Sequence, residues 1–212
     1  MQAIVVAGAE RGLLVRAVRY ALSAARLATP ERLPLPTPCD GWDLRTLLHH
    51  VGDSMDGLSE GLYTGFVDPC AASAHDGIDP DGDCGCAEPG GPVGSLTQRA
   101  VTLLCACAAA GSAESHVVIG DCELTTSVLT MTGAVEIAVH GWDISVTCGG
   151  PGTLPPGLAS DLLPIATLLA PRGLRAGLFA DPVPVTDLAC PGDRLVAFLG
   201  RRPRPARPGD AP

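Results

Sequence analysis

The sequence contains no lysine and few aromatic residues. Its basic residues, 14 in all, are arginines, and they face 23 acidic residues, which gives a net charge of −9. This acidic balance disfavours nucleic acids and anionic membranes as partners, because both are negatively charged. Aromatic residues make up only 3% of a chain that is 46% hydrophobic. We therefore expect a core of aliphatic side chains and alanine, a composition that favours helices.

The sequence also lacks long apolar runs. No segment approaches the roughly 18 apolar residues that a membrane-spanning helix needs. The first residues, MQAIVVAGAERG, contain no basic region followed by a long apolar stretch, so we expect no signal peptide and a cytoplasmic protein. In a reducing compartment the nine cysteines are more often free thiols or metal ligands than disulfides.

Helical periodicity predicts four main helices, and 212 residues are enough for one domain with a sizeable core. We expect these helices at residues 7–27, 42–62, 95–110 and 124–148, with Asp40 as the N-terminal cap of the second. Shorter helices are expected at residues 158–170 and 193–200. The VVIGD segment at residues 117–121 predicts a short β-like segment or a loop.

Residues 63–95 break this pattern, because they are rich in Gly, Asp, Pro and Cys and follow no period. Within this stretch, four residues of metal-ligand type could form a zinc knot: Cys70, His75, Cys84 and Cys86. Their spacing is irregular for an ordinary zinc site. We expect a mobile acidic lid over a pocket instead. Residues 1–203 are predicted to form a single domain, followed by a disordered Arg/Pro tail at residues 204–212.

The segment GAVEIAVHGWD, residues 133–143, places an unusual polar stripe on the fourth predicted helix. At about 100° per residue, Thr132, His140 and Asp143 lie within about 40° of Glu136. Apolar residues flank this stripe on both sides, which is typical of ionisable groups that point into the interior of a bundle. Charges persist there only when they are paired or bound to a metal.

A third candidate ligand lies on the second predicted helix. His50 lies about 110° from the centre of the apolar face and His49 about 150° away, so His50 is nearer the interior and His49 nearer the solvent. His50, Glu136 and His140 make a His₂Glu set, which is enough for a zinc-type site with one open coordination position. The alternative from spacing alone is an ordinary hydrogen bond between Glu136 and His140 in the core.

Three segments of the chain resemble one known family: TPCDGWDLRTLLHHV, VEIAVHGWDISVTCG and DRLVAFLGR. In order and spacing they resemble the actinobacterial family that contains the metal-binding domain of mycothiol-dependent maleylpyruvate isomerase. That family belongs to the DinB-like, or YfiT-like, four-helix metal proteins. The resemblance implies an all-α fold, a DinB-like up-down-up-down four-helix bundle with a short C-terminal helical or extended extension. It also implies His50, Glu136 and His140 as ligands of a divalent metal, most often zinc.

The function that this resemblance implies is that of a metal-dependent transferase or isomerase, whose metal activates mycothiol or a similar thiol toward a small electrophilic metabolite. Two alternatives stay open. One is a natural-product biosynthetic enzyme that uses the metal as a Lewis acid without a thiol. The other is a non-catalytic metal- or redox-responsive protein in which the Cys-rich loop is the active part.

Further side chains near these segments have expected roles. Asp143 could orient His140 or hold a proton on the thiol side, or it could make a plain hydrogen bond inside the helix. Cys39 is expected to be a buried thiol and not a nucleophile, with Trp42 packed against the end of the bundle. Arg45 and Arg201 could meet an anionic substrate, but we expect both at the surface. The partner expected is a small-molecule substrate, and a homodimer is an open expectation.

Overall fold

The structure is a computed structural model that describes residues 2–68, 90–110, 115–171 and 180–203, with side chains from Glu10 onward. Helices dominate these residues, and the predicted mainly helical, DinB-like fold is confirmed. The elements in chain order are α1 (Gln2–Ala25), α2 (Leu44–Thr64), β1 (Phe66–Val67), α3 (Gly91–Ala109), β2 (His116–Ile119), β3 (Cys122–Thr125), α4 (Thr126–Thr147), α5 (Pro156–Leu169) and α6 (Pro191–Phe198). Among the described helices, none combines the length and hydropathy required to cross a bilayer.

The core between α1, α2, α3 and α4 is aliphatic, as the composition predicts. The apolar residues of α2 recur every three or four positions, and the following are all buried: Leu44, Leu47, Leu48, Val51, Met55 and Leu58. Helix α4 is buried on almost every side because it packs against α1, α2 and α5. Its Trp142 is the largest of the fully buried side chains. Helices α5 and α6 pack on each other and form the C-terminal extension.

Helices α2 and α4 run antiparallel, and this pairing positions the polar stripe. Along α2, His50 and then Ser54 meet Glu136 of α4. Farther along α2, Leu58 lies against Gly133, which comes earlier in α4. A Cβ atom at Gly133 would lie 2.5 Å from a Leu58 methyl carbon, so the glycine allows α2 to approach closely.

Helices α1 and α4 run in the same direction, so the predicted up-down-up-down order is wrong. Gly141 of α4 lies against Ala21 of α1, and Gly150 after α4 lies against Leu27 after α1. Arg11, in the first half of α1, donates to the carbonyl of Ala110 at the end of α3, so α3 runs opposite to α1. The observed order is up-down-down-up. Periodicity identifies the buried face of each helix but carries no information on its direction.

Helix α2 begins two residues later than predicted, and Asp40 is not its cap. The side chain of Asp43 accepts a hydrogen bond from the backbone N–H of Thr46 at 2.8 Å, which is the N-cap contact. Gly41 has φ of +78°, a left-handed conformation that a helix cannot include. The helix therefore starts at Leu44 rather than near Asp40.

A small sheet closes the end of the α2–α4 pair. Strand β2 pairs in parallel with β1 and antiparallel with β3, so the VVIGD segment is β-structure with a turn. The sheet sits close to α2 at Gly61, where a Cβ atom would lie 3.1 Å from side-chain atoms of Val117 and Val67. The sheet therefore continues the packing of the bundle at this end.

The predicted irregular stretch at residues 63–95 is structured at both ends. Its first residues complete α2 and form β1, and its last residues open α3. The helical ends are held by local backbone hydrogen bonds, whereas β1 pairs with β2, far along the chain, which a local pattern cannot predict. Residues 69–89, with the possible zinc ligands Cys70, His75, Cys84 and Cys86, lie outside the described residues, as does the tail at residues 204–212.

The close approach of α1 and α4 leads to a first prediction. A Cβ atom at Gly141 would lie 2.9 Å from the Cα of Ala21, so the Gly141→Ala protein should lose about 1–3 kcal/mol of unfolding free energy through overpacking. The matched control is Gly12→Ala on α1, where a Cβ atom meets nothing within 4 Å. There the change should be neutral or stabilising, by up to about 1 kcal/mol. Urea denaturation measures both, and an unchanged midpoint for Gly141→Ala would contradict the packing.

Candidate metal centre

The structure brings the three predicted ligands together. Nitrogen and oxygen ligand atoms of His50, Glu136 and His140 all lie within 4.8 Å of one another. His50 Nε2 is 3.2 Å from Glu136 Oε1, and the two imidazole rings are nearly perpendicular with centroids 5.1 Å apart. The neighbouring His49 is exposed, as expected from its position on the helix. The antiparallel packing of α2 on α4 places His50 beside Glu136 and His140, which are one turn apart on α4.

Glu136 is held in its ionised form by the groups around it. Burial alone would raise the pKa of its carboxyl, but hydrogen bonds from His50 and Ser54 and the charge of His140 outweigh this and lower the pKa. Ser54 donates to the same carboxylate oxygen that faces His50. Sequence reasoning did not identify Ser54, although it lies one turn after His50 and therefore on the same face of α2.

Asp143 binds the other side of His140. Its carboxylate is fully buried, and Oδ2 lies 3.1 Å from Nδ1 of His140. Burial raises the pKa of Asp143, but the hydrogen bond from His140 and the charge of Arg201 lower it by more, so the carboxylate is ionised. An ionised acceptor requires the proton on Nδ1, and in the neutral imidazole the lone pair is then on Nε2. This arrangement is typical of metal-binding histidines.

Arg201 contributes the cation that balances Asp143. Its guanidinium donates to both carboxylate oxygens, with Nη2 3.0 Å from Oδ2 and Nε 3.4 Å from Oδ1. The side chain is only 16% exposed, so the predicted surface placement of Arg201 is wrong. A buried carboxylate requires a cationic partner, but nothing in the sequence indicates which of the arginines supplies it. Arg45 is exposed, as expected.

Cys39 completes the surroundings of Asp143. Its thiol donates to Oδ2 at 3.4 Å, and its Sγ is 3.8 Å from Nδ1 of His140. Burial and then the charge of Asp143 raise the pKa of this thiol to about 11, although Arg201 acts in the opposite sense. The thiol is therefore neutral at pH 7. Cys39, His140 and Asp143 also form a ligand-type triad, but Arg201 already contacts both Cys39 and Asp143, so a second cation there would face the charge of Arg201.

Trp42 forms an aromatic wall beside the two histidines. Its ring lies edge-on to His50 with centroids 4.6 Å apart, and more nearly parallel to His140 at 6.3 Å. Thr37 holds the preceding loop, since its hydroxyl donates to the carbonyl of Trp42 at 3.0 Å and accepts from the N–H of Cys39 at 3.2 Å. The T-P-C-x-G-W segment thus shapes one side of the cluster.

The four residues of the H-G-W-D run, 140–143, make different contacts. His140 faces the cluster, and Gly141 allows α1 to approach α4. Trp142 donates through Nε1 to the carbonyl of Gly152 at 2.6 Å, which anchors the chain that follows α4. Asp143 turns back to His140 and Arg201. His140 and Asp143 share a face because they are three residues apart, whereas Gly141 and Trp142 lie about 100° and 200° around the helix from His140.

The buried pair of Asp143 and Arg201 leads to a second prediction. In metal-free protein, Asp143→Asn should reduce the unfolding free energy by about 3 kcal/mol, because it leaves a buried guanidinium unpaired. The folded-state pKa of Asp143 is lowered. The difference in unfolding free energy between wild type and Asp143→Asn should therefore have its full size above the ordinary aspartate pKa of about 4. It should become smaller only at lower pH.

The control is Asp161→Asn, which breaks an exposed pair with Arg16 and should cost less than about 1 kcal/mol. Denaturant titrations at several pH values measure both variants. Equal costs for the two at pH 7 would contradict the central role of Asp143.

Comparison with known proteins identifies the family. The family model described as mycothiol maleylpyruvate isomerase N-terminal domain matches residues 14–145, a range that includes His50, Glu136, His140 and Asp143. Two uncharacterized proteins of Mycobacterium tuberculosis, from strains CDC 1551 / Oshkosh and ATCC 25618 / H37Rv, are each 28% identical to the chain over 176 residues. The aligned residues cover 82% of this chain and 87% of each relative. No solved structure gives a significant match. The chain therefore belongs to the mycothiol maleylpyruvate isomerase N-terminal domain family.

Proposed function

We propose that this protein is a divalent-metal-dependent transferase or isomerase that uses mycothiol or a similar small thiol to attack an electrophilic metabolite. The observation that carries the proposal is the cluster of His50, Glu136 and His140, with Asp143 bound to the far nitrogen of His140. The family to which the chain belongs is named for a mycothiol-dependent isomerase, which favours a thiol as cosubstrate.

The cluster fits a divalent metal ion such as zinc. Two imidazole nitrogens and one carboxylate oxygen are a donor set of catalytic zinc sites, in which a fourth position stays open. Glu136 is ionised, and because Asp143 contacts Nδ1 of His140, Nε2 is the ring nitrogen that remains for a metal. When bound, such an ion would lower the pKa of a thiol and make a thiolate available at neutral pH.

The residues of the cluster and its surroundings would have separate roles in holding the ion. His50, Glu136 and His140 would hold the ion, and Ser54 keeps the Glu136 carboxylate directed at His50. Asp143 fixes the orientation of His140, while Arg201 balances the charge of Asp143. His50 and Glu136 are 36% and 34% exposed, so the cluster is accessible from the solvent.

Metal analysis tests the ligand assignment. Purified wild-type protein should contain stoichiometric divalent metal by inductively coupled plasma mass spectrometry. His50→Ala, Glu136→Ala and His140→Ala should each lose it, because each removes one of three ligands. Asp143→Asn should weaken metal affinity by about 10–100-fold, through loss of the partner that orients His140.

The matched control for this experiment is His49→Ala, since His49 adjoins His50 in sequence but is exposed. This variant should retain the metal. Replacement of Cys84 and Cys86 by serine should also leave it in place. Wild-type protein without metal, or retention by all three ligand variants, would contradict the assignment. Loss on replacement of the cysteines would favour a metal- or redox-responsive protein.

Thiol conjugation tests the reaction. Metal-loaded protein should accelerate the reaction of mycothiol with monobromobimane above the uncatalysed rate, as measured by fluorescence of the conjugate. His140→Ala should return the rate to the uncatalysed value, and His49→Ala should not. If fully metal-loaded protein does not accelerate the conjugation, the thiol-dependent proposal is contradicted. Lewis-acid chemistry without a thiol would then be favoured.

A further inference from the structure

Helix α2 contains three glycines, and close packing explains two of them. A Cβ atom at Gly61 would lie 2.8 Å from a Leu129 methyl carbon. One at Gly52 would lie 3.0 Å from the Cδ and Nη1 atoms of Arg99. At both positions the missing side chain allows a neighbouring side chain to approach the helix, so the fold itself favours glycine there.

The third glycine, Gly57, has no such neighbour among the described residues. A Cβ atom there would meet only Val67, at the ordinary contact distance of 3.8 Å. The residue lies inside α2 and does not have a positive φ. Glycine weakens the interior of a helix relative to alanine, because it gains more backbone freedom on unfolding. The packing around Gly57 therefore offers no reason for a residue that weakens the helix.

A side chain at Gly57 would take space from a cavity of about 200 Å³ between α2, α4 and the sheet. Most of the cavity wall is apolar, and it comprises Gly57, Leu58, Val67, Ile119, Leu129 and Gly133. Glu136 belongs both to this cavity and to the proposed metal ligands. A group bound in the cavity would therefore lie next to the cluster.

The hydroxyl groups at the cavity are already engaged within the protein. Besides Glu136, the polar lining residues are Ser54 and Thr132. Ser54 donates its proton to Glu136, and Thr132 donates to the carbonyl of Val128 at 2.8 Å. Neither proton is available to an occupant in this arrangement, so the apolar wall offers the larger contact.

We propose that Gly57 is a specificity-determining residue, which leaves the cavity open for an apolar portion of the electrophilic substrate. The cavity suits a group somewhat larger than benzene, which occupies a cavity of about 150 Å³. Because Glu136 is shared, the reactive end of such a substrate would face the cluster. The selection depends on size and apolar contact and not on charge. The identification of the occupant as the electrophile rests on the proposed function.

The first test is saturation-transfer NMR on full-length protein of measured metal content, with two matched ketones. Cyclohexanone and tetrahydropyran-4-one share a six-membered ring and a carbonyl group, and an ether oxygen in the second replaces one CH₂ group of the first. Cyclohexanone should bind at least about fourfold more tightly, since burial of one CH₂ group contributes about that factor. Equal binding of the two ketones, or no binding of cyclohexanone, would contradict an apolar site.

Substitutions at Gly57 locate the binding. Gly57→Leu should abolish binding of cyclohexanone and Gly57→Ala should weaken it. Both variants should unfold at an equal or higher urea concentration than wild type, because each removes a glycine from a helix. A lower midpoint for Gly57→Ala would show that the fold requires this glycine, and unchanged binding by a folded Gly57 variant would equally overturn the proposal.

The matched control is Gly12→Leu, the same change at an exposed glycine of α1 with open space around it. Cyclohexanone should bind this variant as it binds wild type. Loss of binding in both leucine variants would mean that the effect is not specific to the cavity, which would contradict the assignment. If Gly57→Leu does not fold, Gly57→Ala carries the comparison.

Two electrophiles of different size connect the cavity to the reaction. Phenacyl bromide and bromoacetone share a bromomethyl ketone group, but the first carries a phenyl group where the second carries a methyl group. Gly57→Leu should slow conjugation of mycothiol to phenacyl bromide at least about tenfold, a typical effect of crowding in an apolar pocket. Conjugation to bromoacetone should stay near the wild-type rate, and mass spectrometry of the conjugates measures both.

Failure of this inference is distinguishable from failure of the proposed function, because binding of a ketone requires neither thiol nor turnover. Binding of cyclohexanone that depends on Gly57, in a protein that does not conjugate mycothiol, would refute the function and leave the size selection by Gly57 in place. Conjugation of both bromoketones at wild-type rates by Gly57→Leu would refute the inference and leave the function in place.

Discussion

The buried carboxylate of Asp143 connects three separate parts of the chain. Asp143 is fully buried and ionised, and such a group requires partners on every side. Those partners come from three separate parts of the chain. His140 lies one turn earlier on α4, Cys39 lies on the loop before α2, and Arg201 follows α6. Its contacts with these three residues tie the C-terminal extension and the first long loop to the end of the bundle where the cluster lies.

Close helix packing gives the cluster its shape. Gly133 and Gly141 lie on different faces of α4, and they allow α2 and α1, respectively, to approach it. The approach of α2 brings His50 to Glu136 and His140, while Trp42 covers the two imidazoles from the loop. The same approach, together with the sheet at the end of α2, leaves an apolar cavity that shares Glu136 with the cluster. The cluster and the cavity beside it thus follow from one packing arrangement.

Sequence reasoning correctly placed the residues whose positions follow from helical geometry. Glu136, His140 and Asp143 are on one stripe because helical residues three, four and seven apart share a face. The choice of His50 over His49 follows from the angle between each of them and the apolar face. Sequence reasoning was wrong for Arg201, because pairing between residues 58 positions apart has no periodic signal. It was also wrong for Asp40, because the left-handed turn at Gly41 delays the start of α2.

The sequence by itself determined the helical class, the aliphatic core and the set of side chains able to act together on α2 and α4. Periodicity and composition suffice for these, because they depend on local geometry and on solvent avoidance. Only the tertiary structure decided the direction of the helices, the partner of Asp143 and the position of the cavity. These depend on which faces of distant segments meet, and that is decided by packing and charge compensation summed over the whole chain rather than by any local pattern.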